Sequence, residues 1–277
     1  VMDGGLAGGE LGVLVAPAGI GKSWCLQSLG AHLVKQGKTV VHYTLELNES
    51  YVGLRYDTVF SGITTQNIKY QKDEVKKIID SLEGRMVIKY YPTRSATVNT
   101  LSAHLKQLEL KNIKPDMVIV DYADILRDNS GMREVRHQLG AVYEELRGLA
   151  GEFKVPIWTA SQANRSALEE EVIEATKIAE AYSKIMIADF VLSISRKAED
   201  KLSHTARCHI IKNRFGIDGV TYPMSMNTNL GQIEIYESTT QPGKEQQGKM
   251  DNSEEFKRQL LASKYNDMKQ SDVDGFE

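Results

Sequence analysis

The stretch GVLVAPAGIGKS at residues 12–23 joins an apolar run to a glycine-containing loop and a Lys-Ser pair that opens an amphipathic segment. The apolar run predicts a buried strand, and the small residues let backbone N–H groups turn inward around an anion. A helix that begins near Lys22 would direct the positive end of its dipole at that anion. This combination is typical of a phosphate-binding P-loop, although Ala16 stands where the common pattern has its first glycine. The alternative is an ordinary strand–turn–helix, which the Gly-Lys-Ser spacing disfavours.

A P-loop assigns roles to individual residues. Lys22 would contact the β- and γ-phosphates of a nucleotide, and the hydroxyl of Ser23 would bind Mg²⁺. ATP, or another nucleoside triphosphate, and Mg²⁺ are therefore the expected cofactors. The residues predicted to contact the nucleotide at this loop are Ala16, Pro17, Ala18, Gly19, Ile20, Gly21, Lys22, Ser23 and Trp24.

The composition of this 277-residue chain is that of a globular protein. Its 41% hydrophobic residues suffice for a full core, and its net charge of −3 neither indicates nor excludes a nucleic-acid partner. We expect no membrane span, because no apolar run reaches about 18 residues, and no signal peptide, because the N-terminus lacks a basic stretch before an apolar core. Cys25 and Cys208 lack metal-ligand spacing and are predicted to be buried thiols in a reducing cytoplasm.

Strand-like and helix-like segments alternate over residues 1–236, which predicts one α/β domain. The short connections between the last three strands predict antiparallel hairpins. The expected fold is a mostly parallel twisted sheet with helices on both faces and antiparallel strands added at its C-terminal end. The predicted strands are 11–16, 39–45, 86–90, 117–121, 156–160, 189–195, 206–212, 219–225 and 231–236, and the predicted helices are 22–36, 49–60, 72–83, 97–110, 132–153 and 174–186.

The composition changes in residues 237–277, where apolar residues become scarce. This segment is interpreted as a polar linker, a short helix over 252–266 and an acidic tail, which we expect to be flexible. It is therefore separated from the predicted α/β domain.

Polar residues follow the ends of three predicted strands besides the P-loop strand: Glu46, Asp121 and Gln162. Ligands bind beyond the carboxyl ends of strands in such sheets, so these side chains should converge on one site. Asp121 ends a continuously apolar run and is the expected second ligand of Mg²⁺. Asp124 competes for that role, but it lies past the apolar run and is interpreted as a loop or capping residue.

Glu46 and Gln162 each have a functional and a structural interpretation. A carboxylate at the position of Glu46 could orient and deprotonate the water that attacks the γ-phosphate, or it could be an exposed charge at a strand end. An amide at Gln162 could hydrogen-bond the γ-phosphate, or it could belong to an ordinary loop.

Two cations one residue apart, Lys212 and Arg214, follow a late predicted strand. Arginine is suited to bidentate phosphate contacts, and an arginine finger acts on phosphates bound elsewhere, often across a subunit interface. The alternative is a solvated hairpin turn.

Together these motifs resemble the RecA-like ATPase domain of DnaB-type hexameric replicative helicases of bacteria and bacteriophages. The resemblance covers residues 4–219 and rests on the order and spacing of its motifs. In that family the position of Ala16 is often not glycine either. The matching segments are GLAGGEL at 5–11, APAGIGKS at 16–23, TLEL at 44–47 with Arg55 beyond it, MVIVDYADIL at 117–126, WTASQANR at 158–165 and KNRFG at 212–216.

The resemblance implies a RecA-like P-loop NTPase core that couples ATP hydrolysis to movement along single-stranded DNA as a homohexameric ring. It implies that Glu46 is the catalytic base and that Gln162 senses the γ-phosphate. Lys212 and Arg214 would act on the nucleotide of the neighbouring subunit, and Arg55 would help to hold the region of Glu46.

The resemblance also implies that two loops face DNA, near residues 127–136 and 163–180. The acidic run at 169–171 and Glu174 would oppose phosphate binding there. The predicted DNA-binding residues of these loops are Arg127, Arg133, Arg136, Arg165 and Lys177.

Family members normally carry an N-terminal domain, so we expect this chain to be a truncated or minimal form. Primase, a helicase loader or a polymerase are the expected partners, through the N-terminal region or the tail. The tail resembles those that some phage helicases use to dock a polymerase, with Phe276 as the anchor. The alternative is a disordered solubilising tail. The expected location is the cytoplasm of a bacterium or of a phage-infected host.

Two other functions remain open at this point. A recombinase or a KaiC-like regulatory ATPase would share Glu46, Asp121 and the sheet, although the Lys212–Arg214 element favours the helicase. A docking module for replication proteins would use nucleotide only as a switch, and its ATP hydrolysis need not respond to DNA.

Overall fold

In the computed structural model, the described residues are 4–129, 134–168, 170, 172–174 and 182–237. The predicted linker and tail therefore lie outside the described residues, apart from residue 237. The predicted division of the chain into two parts remains a prediction.

One nine-stranded sheet organises the described residues, with the strand order β3-β2-β4-β5-β1-β6-β7-β8-β9. Strands β1 to β6 pair in parallel, whereas β7, β8 and β9 pair antiparallel. The predicted fold class is confirmed. The strands are β1 Leu11–Ala16, β2 Thr39–Thr44, β3 Arg85–Tyr90, β4 Met117–Asp121, β5 Ile157–Gln162, β6 Phe190–Ser195, β7 Thr205–Asn213, β8 Thr221–Asn227 and β9 Gln232–Ile235.

Seven α-helices lie within the same part of the chain: α1 Lys22–Lys35, α2 Glu49–Ser61, α3 Lys72–Asp80, α4 Val98–Leu110, α5 Val135–Phe153, α6 Tyr182–Ile187 and α7 Ala198–Leu202. The helix predicted from residue 174 starts too early, because Glu174 is not helical. Helix α7 was not predicted, because five residues are too few to show a helical period. The start of α2 is marked by a capping residue in the sequence. The side chain of Asn48 accepts the N–H of Tyr51 there.

The central strands are buried on both faces. Val118 and Val120 of β4 face a core that includes Leu101 of α4 and Leu146 of α5. Ile119 of β4 faces the opposite core, which includes Leu26 and Val34 of α1. Residues Met117–Val120 of β4 are continuously apolar because each face of the strand meets a helix layer.

The register brings four strand ends to one edge of the sheet. Ala16 at the end of β1 pairs with Gln162 at the end of β5, and Thr44 at the end of β2 pairs with Asp121 at the end of β4. The N–H of Leu45 also donates to the carbonyl of Asp121 at 2.9 Å. The P-loop, Glu46, Asp121 and Gln162 therefore leave the sheet side by side.

Both cysteines are free and buried, as predicted. They lie in the same hydrophobic cluster, on α1 and β7. Burial raises the pKa of both thiols, to about 12 for Cys208. Within the described part of the chain, no helix is both long and apolar enough to cross a bilayer.

Candidate active site

The P-loop runs from the end of β1 to the start of α1. Gly19 and Gly21 have φ angles of 74° and 112°, a region that side-chain-bearing residues rarely adopt. Gly21 is the N-cap of α1, and a Cβ atom there would collide with the side chain of Met226. The loop therefore needs glycine for its conformation and for this close approach. It presents the N-terminus of α1 to the cleft above the sheet.

Lys22 lies folded over its own loop. Its ammonium donates to the carbonyl oxygens of Ala16 at 2.9 Å and Pro17 at 3.1 Å. Burial lowers the pKa of Lys22, and the nearby charges of Asp121 and Glu46 oppose that shift. Two neutral carbonyls are weaker partners for an ammonium than an anion is. Lys22 is thus held in place by groups that a phosphate can displace.

Ser23 lines the cleft, and Asp121 lies next to it within hydrogen-bonding distance of the Ser23 hydroxyl. The side chain of Asp121 is almost fully buried, with 3% of the residue exposed. Burial raises the pKa of Asp121 to about 6, while its hydrogen bond with the Ser23 hydroxyl acts in the opposite direction. Such a carboxylate carries a large cost of desolvation, which a bound cation would offset.

The oxygen atoms of Ser23 and Asp121 suit Mg²⁺, an ion that does not need all its ligands from the protein. The described residues contain no cluster of three or more His, Cys, Asp and Glu side chains that could hold a metal ion. Mg²⁺ is normally bound by one or two protein oxygens together with substrate phosphates and water. The pair of Ser23 and Asp121 has that character, so the residues present fit the predicted cofactor.

Glu46 and Arg55 lie on the α2 side of the cleft. The guanidinium carbon of Arg55 is 5.0 Å from the centre of the Trp24 ring, which fixes it by a cation–π contact. Burial lowers the pKa of Arg55, and the charges of Asp121 and Glu46 oppose the shift. Arg55 is therefore close enough to both carboxylates to act on them electrostatically. Its predicted role in holding the region of Glu46 stays a prediction.

Gln162 borders the cleft at the end of β5, and its backbone is hydrogen-bonded to the side chain of Asp124. One carboxylate oxygen of Asp124 accepts the backbone N–H of Gln162 at 3.3 Å and the hydroxyl of Ser161 at 3.1 Å. The other accepts the hydroxyl of Tyr143 at 2.8 Å and lies 2.8 Å from the ammonium of Lys184. These contacts support the interpretation of Asp124 as a structural residue and not as a magnesium ligand.

Replacing Lys184 with methionine is expected to lower the free energy of unfolding by about 3 kcal/mol, because Asp124 would lose its cation in a largely buried place. The side chains of Lys184 and Asp124 are 3% and 14% exposed. Urea denaturation measures the change.

The matched control is Lys106→Met, which breaks an exposed pair with Glu152 and should cost less than about 1 kcal/mol. Equal losses in the two variants would contradict the structural role of the Lys184–Asp124 pair.

Lys212 and Arg214 lie outside the cleft of their own chain. The ammonium of Lys212 donates to the carbonyls of Ile185, Met186 and Ala188 at 2.7 to 2.8 Å. It closes the C-terminal end of α6. Arg214 pairs with Asp189 at 2.6 Å. The predicted action of both cations on a neighbour's nucleotide stays a prediction.

The sequence was also compared with models of known protein families. Residues 1–232 match the family model of the DnaB-like helicase C-terminal domain. The chain belongs to this family. The resemblance noted in the sequence is confirmed.

Individual relatives agree with the family assignment. A DnaB-like replicative helicase of Enterobacteria phage T4 is 31% identical over 229 residues, which are 78% of this chain and 48% of that protein. A solved ATPase domain superposes with a TM-score of 0.73 and 17% identity, covering 85% of this chain and 88% of that one. A solved DnaB-like replicative helicase, described with its interactions with primase, gives a TM-score of 0.73 over 84% of this chain and 58% of that one, also at 17% identity. The chain spans about half the length of the phage relative.

The DnaB-like domain adds residues to the cleft that sequence reasoning missed. Two of them, Leu47 and Tyr122, follow β2 and β4 inside segments that the sequence had singled out. The other five come from the β6–β7 connection and from the turn between β8 and β9, where no motif signals a site. The antiparallel strands return these segments to the P-loop, and Arg196 donates to the carbonyl of Met226 at 3.0 Å. The cleft has a volume of about 500 Å³, and the unpredicted residues that line it are Leu47, Tyr122, Arg196, Lys201, His204, Thr228 and Asn229.

The predicted DNA-binding residues of the DnaB-like domain are only partly described. Arg127 is exposed, and its backbone N–H donates to the carbonyl of Ala96 at 2.9 Å. Arg133 and Lys177 lie outside the described residues, and the side chains of Arg136 and Arg165 also lie outside them. Contact of these five residues with DNA stays a prediction.

Proposed function

We propose that this chain is the ATP-hydrolysing motor domain of a replicative DNA helicase, which moves along single-stranded DNA as a homohexameric ring. The observation that carries the proposal is the convergence of Lys22, Ser23, Glu46 and Asp121 at one sheet edge in a DnaB-like domain. These residues supply a phosphate-binding loop, two Mg²⁺ ligands and a carboxylate free to act as base. The cleft volume of about 500 Å³ is in the range of nucleotide-sized sites.

Each residue has one task in the proposed reaction. Lys22 moves from the carbonyls of its loop to the phosphates. Ser23 and Asp121 would hold Mg²⁺, which when bound would supply positive charge against the charge that develops on the phosphates. Glu46 orients and deprotonates the attacking water, and Gln162 contacts the γ-phosphate.

Arg214 is proposed to act in trans. It lies on a different surface from the cleft, beside Asp189, so it cannot complete its own site without a large displacement of β7. A guanidinium from an adjacent copy would stabilise the charge that develops in the transition state. Hydrolysis then depends on assembly.

Single-stranded DNA and a second copy of the chain are the proposed partners, as its DnaB-like relatives are named as replicative helicases. Primase is a further proposed partner, because one solved relative is described with it. A helicase loader and a polymerase are proposed on the sequence resemblance alone. The proposed location is the cytoplasm of a bacterium or of a phage-infected host.

The experiment that tests this function is steady-state ATP hydrolysis across protein concentration, with and without single-stranded DNA. We expect DNA to stimulate hydrolysis and the specific activity to rise with concentration, because active sites form between copies. Arg214→Ala should lower the stimulated kcat by at least about tenfold, whereas the exposed Arg85→Ala should not change it.

Hydrolysis that ignores both DNA and concentration would overturn the motor proposal. It would favour the docking module, in which nucleotide acts as a switch. Filaments in place of rings, seen by electron microscopy, would favour the recombinase.

A further inference from the structure

One buried carboxylate, Asp189, holds two guanidinium groups. It lies before β6 and is 1% exposed. One carboxylate oxygen accepts the N–H of Leu11 and Nε of Arg147, each at 3.0 Å. The other accepts Nη2 of Arg147 at 3.0 Å and pairs with Nη1 of Arg214 at 2.6 Å. Asp189 is therefore bound by α5, β1 and the segment after β7 at once.

The backbone around Asp189 is also fixed. Its N–H donates to the carbonyl of Leu11 at 2.9 Å, and its carbonyl accepts the N–H of Arg214 at 3.0 Å. The side chains of Arg147 and Arg214 remain 42% and 45% exposed. Both border an open surface cleft of about 530 Å³, separate from the nucleotide cleft. The two guanidinium groups are thus partly exposed to solvent, while the carboxylate that binds them is held in a fixed position.

The two arginines are not equivalent in their contacts. Arg147 makes a bidentate contact that uses both oxygens of Asp189, whereas Arg214 pairs with one oxygen. If Arg214 swings away, each oxygen still accepts a hydrogen bond, from Leu11 and Arg147 or from Arg147 alone. The hydrogen bond with Asp189 also raises the pKa of Arg147. Arg214 can therefore leave Asp189 without leaving the carboxylate unpaired, because Arg147 remains bound to both of its oxygens.

This asymmetry matters because an unpaired buried carboxylate is strongly unfavourable. Without Arg147, the departure of Arg214 would leave one oxygen of Asp189 with no cation and no hydrogen bond. Arg214 would then be retained on its own chain.

We infer that Asp189 and Arg147 are positioning residues for Arg214. Asp189 holds the guanidinium at the surface, and Arg147 keeps that carboxylate paired while Arg214 turns to the phosphates bound by a second copy of this chain. The inference rests on the proposed trans action of Arg214 and identifies what controls its release.

The test is a double-mutant cycle on DNA-stimulated ATP hydrolysis with Arg147→Met and Arg214→Ala in the full chain. Methionine keeps much of the apolar length of Arg147 and removes its charge and hydrogen bonds. We expect Arg147→Met alone to lower kcat by about tenfold with the KM for ATP unchanged, because only release of Arg214 is affected. In the Arg214→Ala background the same substitution should have no further effect.

Two further variants separate positioning from folding. Arg147→Lys keeps the cation without the bidentate contact and should recover part of the lost kcat. Arg85→Met, at the exposed start of β3, should leave kcat unchanged. If Arg147→Met does not fold, Arg147→Lys takes its place in the cycle, with a smaller expected loss.

The outcomes distinguish this inference from the proposed function. An Arg214→Ala variant with full activity would overturn the trans action itself. A normal loss with Arg214→Ala, combined with an Arg147 effect that is absent or equal in both backgrounds, would overturn the positioning role alone.

Discussion

Replacing Glu46 with glutamine is expected to lower kcat for ATP hydrolysis by about 10²- to 10⁴-fold. Glutamine keeps the size of the side chain and its ability to hydrogen-bond water, but it cannot accept the proton of the attacking water. Glu46 is exposed, lies two residues after the end of β2 and borders the cleft, so the substitution removes no core contact. Nucleotide affinity should therefore change by less than about threefold.

Single-turnover hydrolysis and equilibrium binding of a fluorescent ATP analogue measure the two quantities separately. Glu49→Gln is the matched control, because Glu49 lies three residues away and pairs with Lys89 and the N–H of Tyr90 outside the cleft. It should keep most of the wild-type kcat. A Glu46→Gln variant that turns over at more than half the wild-type rate would exclude Glu46 as the base.

Replacing Asp121 with asparagine is expected to stabilise the free protein while it removes catalysis. Burial raises the pKa of Asp121 from 3.8 to about 6, so its ionised form opposes folding at neutral pH. A tenfold difference in proton affinity between the folded and unfolded states corresponds to about 1.4 kcal/mol. The free energy of unfolding at about pH 7 should rise by about 2 to 3 kcal/mol. The kcat should fall by about 10²- to 10³-fold, because the proposed Mg²⁺ ligand is lost.

The pH dependence fixes the sign of this prediction. The folded protein binds the proton of Asp121 more tightly than the unfolded chain does, so protonation favours folding as the pH falls through about 6. The advantage of Asp121→Asn should therefore approach its full value above about pH 7, shrink as the pH falls through about 6, and vanish below about pH 3, where Asp121 is protonated in both states.

Urea denaturation without nucleotide or Mg²⁺, at about pH 7 and about pH 4.5, measures this difference. The control is Asp116→Asn, before the start of the same strand. Asp116 is half exposed and pairs with Lys38, so its effect should stay within about 1 kcal/mol at either pH. A destabilised Asp121→Asn variant at neutral pH would show that Asp121 contributes to folding and not to function alone.

These two substitutions divide the cleft into parts with different energetic roles. Glu46 is exposed and contributes very little to the stability of the fold. Asp121 is buried, so its ionised form lowers the stability of the folded state. A site that holds a buried charge for a cation is a common case of function kept at the expense of stability. Mg²⁺ and nucleotide should restore part of that stability to the wild type by binding only the folded state.

The sequence by itself determined the fold class and the main parts of the cleft. The P-loop, the doubly buried strand β4 and the polar residues at the ends of β2, β4 and β5 are short-range patterns. Burial periodicity, glycine conformation and strand ends are encoded within a few neighbouring residues. The parallel sheet then brings those ends to one edge.

Only the tertiary structure decided which distant residues complete each site. Leu11 donates to Asp189 across 178 positions of the chain, and Arg147 reaches it across 42. Arg196 and Asn229 reach the nucleotide cleft because β7, β8 and β9 fold back antiparallel. Such contacts depend on strand order and on the packing of helices, which leave no periodic signal in the neighbouring residues. The sequence therefore identifies the cleft, whereas the arrangement of the arginines around Asp189 becomes visible only in the folded chain.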